Sequence, residues 1–276
     1  MNSPLPTISV VTCSYQQGAF LDATIRSLVD QHYPGLEYIL IDGGSTDETL
    51  DVIGRHAEQI DYWASEPDEG QTDALIKGFA HSSGDIMGWL CSDDLLLPHA
   101  LETVGQFFAD HPETDAVYGD ALWIDRSGDF IRPKKEIGFS RFMLRFDHNY
   151  VPQPAMFWRR RLFEKAGGLN RSFQLAMDTD LWDRFSEHSR IVHIPQYLAC
   201  MRFYPEQKTR AQRANSLKED SEIRRRSAWS APPFGAVLRR VARIQRCALK
   251  FLKGGYFSTV PSHVVQQLQP YRIEER

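Results

Sequence analysis

From the start of the chain to about Pro112, short apolar runs alternate with amphipathic stretches. Residues 7–13 (TISVVTC) are a β-branched run of strand length. Residues 18–31 follow with Phe20, Leu21, Ile25 and Leu28 at the spacing of one helix face. A second strand is predicted over 36–41. In the loop beyond it, Ser45 with Glu48 three residues on forms a capping box that opens a helix through Leu50, Ile53 and Ala57. A short strand near Tyr62, a helix over 72–81 and an apolar strand over 86–91 complete the series. Strand–helix alternation of this kind predicts an α/β fold, a mostly parallel sheet with helices on both faces. The run 86–91 has no polar alternation, which predicts a strand buried on both sides.

Past Pro112 the alternation decays. Residues 116–125 and 130–133, joined by Arg-Ser-Gly-Asp, predict a hairpin. A short helix over 140–146 has Ser140 as its cap. A strand over 154–158 and a helix over 161–166, stopped by Gly167-Gly168, come next. Asp178 lies near the beginning of a helix over 178–186, and Pro195 separates strands over 190–194 and 197–203. Beyond Arg210 the helical patterns are far more charged, which places a domain edge near 205.

The 276 residues suffice for one large domain with an appendage, and 42% hydrophobic with 25% charged residues is ordinary for a soluble globular protein. Four well-separated cysteines without a CxxC pair predict a reducing compartment, the cytoplasm, rather than a disulfide framework. The first residues lack a basic leader, and no apolar run approaches the roughly 20 residues of a spanning helix. The expectation is a soluble or peripheral protein. The net charge of −4 hides a split: residues 206–276 carry +9 and residues 1–205 carry −13. An acidic body with a basic tail predicts an anionic partner for the tail.

In parallel sheets of this type ligands bind beyond the carboxyl ends of the strands. Four polar clusters fall there: Cys13-Ser14-Tyr15, Asp42-Gly43, Glu66-Pro-Asp68 and Ser92-Asp93-Asp94. Two adjacent carboxylates after a buried strand repel each other and resist desolvation, which a divalent cation carrying a diphosphate would relieve. Ser92 or an aspartate capping a helix that starts at Pro98 is the alternative reading.

The ordered series Val10-Val-Thr-Cys-Ser-Tyr15, Ile39-Leu-Ile-Asp-Gly-Gly-Ser-Thr-Asp47, Ser65-Glu-Pro-Asp-Glu-Gly70 and Gly88-Trp-Leu-Cys-Ser-Asp-Asp94 resembles family 2 glycosyltransferases, which have the GT-A (Rossmann-like) fold. Gln153-Pro-Ala-Met-Phe157, Gly167-Gly-Leu and Met177-Asp-Thr-Asp-Leu-Trp182 extend the likeness, which covers about residues 7–209. The resemblance implies a UDP-linked nucleotide-sugar donor, uracil being the family's usual base, a divalent metal (Mn²⁺ or Mg²⁺) and inversion at the anomeric carbon. It implies a donor half over 1–112, an acceptor half over 113–205 and a basic helical extension over 206–276. On that pattern Asp42 accepts hydrogen bonds from the base beside Gly43, while Thr12, Ser14, Tyr15, Glu66, Asp68, Asp73 and Ser92 line the donor pocket. Asp93 faces the ribose or metal, Asp94 ligates the metal, and Arg202 and Lys208 bind phosphate by charge. Asp178 takes the position of the catalytic base, with helix capping as its alternative; Asp180 and Trp182 support the pocket. The chain departs from the pattern at Gln16, Ile76, Cys91, Met177 and Tyr204, the last standing where many relatives carry a histidine that helps hold the metal or diphosphate. His148 and His193 have no ligand spacing.

In the tail, residues 237–253 hold six basic residues and no acid, and Val237, Val241, Ile244, Ala248 and Phe251 recur at three- and four-residue steps. Such a helix lies on an anionic membrane, packs on the catalytic body or pairs with a second subunit. A membrane role fits lipid-carried acceptors on the inner face of the cytoplasmic membrane; nucleic acid is not an expected partner. The rival functions are a sugar-nucleotide pyrophosphorylase, which lacks its phosphate loop here, and a catalytically impaired relative that binds a glycan or partner. A dehydrogenase is poorly supported, since no G-x-G-x-x-G follows the first strand.

Overall fold

The computed structural model describes residues 4–231 and 233–273. The first part alternates as expected: β1 (Ile8–Ser14), α1 (Gly18–Val29), β2 (Leu36–Asp42), α2 (Thr49–His56), β3 (Tyr62–Ser65), α3 (Gln71–His81), β4 (Ile86–Cys91), β5 (Leu95–Leu96) and α4 (Ala100–Asp110). Then come β6 (Ala116–Ile124), β7 (Phe130–Lys134), α5 (Arg141–Phe146), β8 (Met156–Arg159), α6 (Arg160–Lys165), α7 (Met177–His188) and β9 (Ile191–Arg202). The tail forms α8 (Lys208–Ala211), α9 (Arg213–Arg225), α10 (Phe234–Leu252) and α11 (Ser262–Gln266).

One sheet runs β3-β2-β1-β4-β8-β6-β9-β5, with β7 beside β6. Its longer ladders are parallel: β1 with β2 and β4, β2 with β3, and β6 with β9. Successive residues of a strand point to opposite faces, so Val10 and Leu40 join Leu21, Ile25 and Phe108 on one side, while Val11 and Ile41 meet Leu75, Phe79 and Trp89 on the other. The helices close in tightly: a Cβ on Gly78 of α3 would lie 2.4 Å from a methyl of Val11. On the second face Trp89 stacks on Trp182 with ring centres 5.5 Å apart, which ties β4 to α7.

Four local expectations need correction. Ser45 does not cap α2: its hydroxyl is taken by Asp42, and Asp47 accepts from the Thr49 N–H at 3.1 Å instead, so the helix starts at Thr49. No helix opens at Pro98, because Leu95 and Leu96 pair with β9 and α4 begins only at Ala100. The strands either side of Pro195 are one strand, β9; its ladder with β6 shifts register between Tyr118 and Asp120, and that bulge absorbs the missing proline N–H. The helix around Asp178 begins one residue earlier, at Met177, with Ala176 as cap.

The tail packs against the body. Glu219 of α9 accepts the N–H groups of Gln174, Leu175 and Ala176, and Ile223 enters the core. Arg226 pairs with Asp180. Leu268 and Tyr271 join Ala23, Leu95, Leu97 and Leu122 in a third cluster. Among the described residues no helix is long and apolar enough to cross a membrane.

Candidate active site

The carboxyl ends of β1, β2, β3 and β4 bring the four polar loops together, and hydrogen bonds zip them into one rim. Gly43 N–H donates to the Ser14 carbonyl, Gln16 N–H to the Ser45 hydroxyl and Gly18 N–H to Asp47. Asp42 lies beneath this rim, fully buried. Its Oδ2 accepts from Gly44 N–H, Ser45 N–H and the Ser65 hydroxyl at 2.6–3.1 Å, and its Oδ1 accepts from the Ser45 hydroxyl. Such a carboxylate organises the loop, with Gly44 supplying the left-handed turn (φ 81°). The residue expected to read the base thus has both carboxylate oxygens engaged within the loops. The acid at the surface of the loop is Asp68: a Cβ on Gly43 would lie 2.7 Å from its Oδ2. Asp68 thus sits in the room that the absent side chain of Gly43 leaves, steadied by the Gly70 N–H at 2.8 Å.

Other expected donor residues divide in the same way. Thr12 belongs to the core: it is inaccessible, and its hydroxyl accepts from that of Tyr38 at 3.3 Å. Ser14 is buried with its hydroxyl unpartnered among the described residues, and Tyr15 is exposed at the rim. Glu66 turns outward to Lys77 at 2.8 Å. Asp73 is buried in α3 and pairs with Arg171; burial would raise it, but the Glu69 N–H and the Arg171 guanidinium outweigh that and hold its carboxyl below the ordinary range.

The Ser92-Asp93-Asp94 turn closes on its own backbone, Asp94 N–H donating to the Cys91 carbonyl at 3.0 Å. The Thr24 hydroxyl lies 2.8 Å from the Ser92 carbonyl and 2.9 Å from that of Asp94, which fixes the turn to α1. The Tyr204 hydroxyl donates to Asp93 Oδ2 at 2.9 Å, and Asp94 Oδ1 accepts the Arg202 N–H at 2.9 Å. Asp94's other oxygen takes no hydrogen bond from the described residues. Burial, and then the charge of Asp93, push Asp94 well above the carboxylate range; burial also raises Asp93, against the Tyr204 hydroxyl and the Arg202 guanidinium. Donor atoms of Cys91, Asp93 and Asp94 come within 4.8 Å of one another. Arg202, expected to bind phosphate, is inaccessible, with its guanidinium bound to the carbonyls of Asp93, Asp125 and Arg126. It is a buried cationic strut under the acid turn. Lys208 does reach the site, its ammonium 3.4 Å from Gln71 Oε1 and 3.1 Å from the Gln174 carbonyl.

Asp178 is half-buried in the first turn of α7 and does not cap it. Its carboxylate accepts from Thr179 N–H and from Asn149 Nδ2 at 2.8 Å. Burial pushes its pKa up to about 6, against the Thr179 N–H and with some help from Asp220. Behind it Asp180 is locked by Arg184 and Arg226, and Trp182 is core. Sequence reasoning missed Asn149 and Glu219, single polar residues in unpatterned stretches, and gave no role to Gln153, whose amide bonds the Trp89 carbonyl at 2.7 Å and whose Oε1 receives the Cys91 thiol at 3.5 Å. A cavity of about 400 Å³ between Arg141, Arg190 and Lys253 holds none of the expected site residues.

Residues 9–172, more than half of the chain, match the family described as glycosyl transferase family 2. The chain belongs to that family. This glycosyltransferase is 32% identical over 179 residues to the PGL/p-HBAD biosynthesis glycosyltransferase of Mycobacterium tuberculosis, covering 63% of this chain and 68% of the relative. Among solved structures it resembles Staphylococcus aureus TarS 1–349 in complex with UDP (TM-score 0.63, 13% identity, 96% of this chain and 80% of the other). It also resembles a mannosyltransferase from Pyrobaculum calidifontis in complex with GDP-Man and Mn²⁺ (TM-score 0.63, 17% identity, 97% and 82%). These likenesses show the GT-A fold, and membership of the family makes the chain a glycosyltransferase.

Proposed function

We propose that this glycosyltransferase moves one sugar from a UDP-linked donor to a hydroxyl of a glycan or lipid-linked glycan, in one inverting displacement. The observation that carries the reading is the Lys208 ammonium. It is held by Gln71 on one side and the Gln174 carbonyl on the other, between the strand-end acids and the loop that leads into Asp178. A diphosphate needs a cation at such a seam. Asp68, rather than the buried Asp42, would accept the N–H of the base.

The donor set of the acid turn fits a divalent cation. Asp94 keeps an oxygen without a donor, Asp93 lies beside it, and the Cys91 thiol is engaged by Gln71 and Gln153 and left to the pocket wall. Oxygen ligands of this kind suit Mn²⁺ or Mg²⁺. When bound, the cation would supply Lewis-acid stabilisation of the departing nucleoside diphosphate. Arg202 and Tyr204 hold the two carboxylates in place from below.

In the chemical step the acceptor oxygen forms a bond to the anomeric carbon as the bond to the diphosphate oxygen breaks. The electron pair of that bond leaves with the nucleoside diphosphate. The acceptor proton passes to Asp178, whose carboxylate Asn149 and the Thr179 N–H orient. A screen of nucleotide sugars by thermal shift, with and without Mn²⁺, tests the donor assignment. UDP-linked sugars should raise the melting temperature, and the rise should grow with Mn²⁺. No shift with any nucleotide sugar would sink it.

A further inference from the structure

The sequence gives α10 an apolar stripe and a basic side, and a helix packing on a body is expected to bury the stripe. Here the stripe faces away. The inward line of α10 is Gly235, Leu238, Ala242, Arg246 and Leu249, with Ala242 inaccessible. Two of its basic residues serve as tethers: Arg246 pairs with Asp147 and Lys250 with the buried Glu136. Val237, Val241, Ile244, Phe251 and Leu252 are left in solvent, Ile244 at 68% and Leu252 at 79% exposure. Aromatic pairs extend the stripe at both ends, Trp229 with Phe234 and Phe251 with Phe257, all four side chains exposed. An apolar band of this length on the outside of a folded chain marks an interaction surface.

We propose that this outward face of α10 docks on an anionic lipid bilayer, the helix lying in the plane of the interface. Charge complementarity selects the occupant. Exposed Arg239, Arg240 and Arg243 line one flank of the stripe, and no Asp or Glu occurs between Glu222 and Glu274. The acids that pair with the helix, Asp147 and Glu136, do so on its inward side. A second copy seated on the same face would bring these arginines against their own equivalents, which an anionic surface does not. Large aromatic side chains and aliphatic residues beside a cationic flank suit the boundary between headgroups and acyl chains.

Helix α10 is joined to the base through its inward side. Arg246 holds Asp147, and two residues later Asn149 holds Asp178. A lipid-carried acceptor would therefore be presented from the side of the molecule that bears the base. This last step rests on the transferase reading proposed above; the docking surface does not.

The test is co-flotation of the full chain, without nucleotide or metal, with phosphatidylcholine vesicles and with vesicles containing about one third phosphatidylglycerol. The chain should float with the anionic vesicles and release at high salt. The paired substitution Ile244→Glu with Phe251→Glu should lower partitioning at least about tenfold. Replacing Arg239, Arg240 and Arg243 by Gln should lower it about a hundredfold, each arginine counting for about fivefold near the surface. Circular dichroism melts of the variants should match the parent, since these side chains are exposed; if the glutamates unfold the chain, Ile244→Ser with Phe251→Ser takes their place. Failure of the full chain to float, or equal flotation of a folded stripe variant, would overturn the proposal. So would a dimer in sedimentation that Ile244→Glu disperses, which would assign the face to a second copy.

Discussion

As the proposed base, Asp178 has to be an unprotonated carboxylate to take a proton, and its burial in the first turn of α7 works against that. With its pKa pushed up to about 6, it is ionised at neutral pH and protonated below. The acid limb of kcat/KM should therefore bend near pH 6 and fall about tenfold per unit beneath it. Asp178→Asn should lower kcat by about a hundredfold to ten-thousandfold while the thermal shift given by UDP persists. The same shift has a stability sign. A folded-state pKa above the unfolded value means that the folded chain binds more protons between about pH 4 and pH 6. Its contribution is favourable in acid and is lost as pH rises through 6, so Asp178→Asn should be the more stable protein at pH 8, by about 1 kcal/mol given partial solvent screening. At Gly43 the geometry makes a different claim. Position 43 lies outside the left-handed region, and one space serves its absent side chain and the Asp68 carboxylate together. Gly43→Ala should weaken UDP binding by displacing Asp68, whereas Gly43→Asp combined with Asp68→Gly should return it towards the parent in a calorimetric titration. At this scale the sequence pointed to the loops that meet at the strand ends, but not to which of their side chains are buried. Asp42, Thr12 and Arg202 are all inaccessible, and such burial and partner choice are set by contacts such as Ser65 with Asp42 and Arg126 with Arg202, which no local pattern encodes.

Helix α9 reaches across to the loop preceding α7, where one carboxylate, Glu219, satisfies three successive N–H groups. Removing it leaves those donors without their acceptor directly upstream of Asp178. Glu219→Ala should cost about 2 kcal/mol in a urea titration, and Glu219→Gln, which keeps one acceptor oxygen, about half as much. Amide exchange at 174–176 should quicken in both. Elements as such were legible in the sequence where apolar runs are short and bounded by turn residues, which is the case for β1, β2, β4 and the hairpin of β6 and β7. Helix starts were less so. Two oxygen-bearing candidates, Ser45 and Asp47, precede α2, and the choice fell to Asp47 because Asp42 claims Ser45 from within the sheet. In β9, Pro195 looked like a break because its missing N–H forbids a regular ladder; the bulge opposite Gly119 was not foreseeable without the partner strand.

For the molecule as a whole, the boundary near 205 marks a change of charge, and we expect it not to mark a folding unit. Glu219, Ile223, Arg226, Leu268 and Tyr271 all bind into the body. Calorimetry of the full chain should give one transition, and a chain ending at 205 should lack a cooperative melt. The charge split itself was plain in the composition, but the direction in which α10 would turn its stripe was not, since either face is compatible with the same period. Tyr271 adds a matter of timing. Its hydroxyl meets Asp30, its ring lies under Arg26, and with Leu268 it seals the cluster containing Leu95 and Leu97, the residues that follow the acid turn. On the ribosome, β1 to β4 can pair long before these residues are made, while that cluster stays open until residue 271 has left the tunnel. Nascent chains arrested short of Leu268 should thus resist protease across the first strands yet remain cleavable around residues 95–97, with the floor of the acid turn being the last part of the site to set.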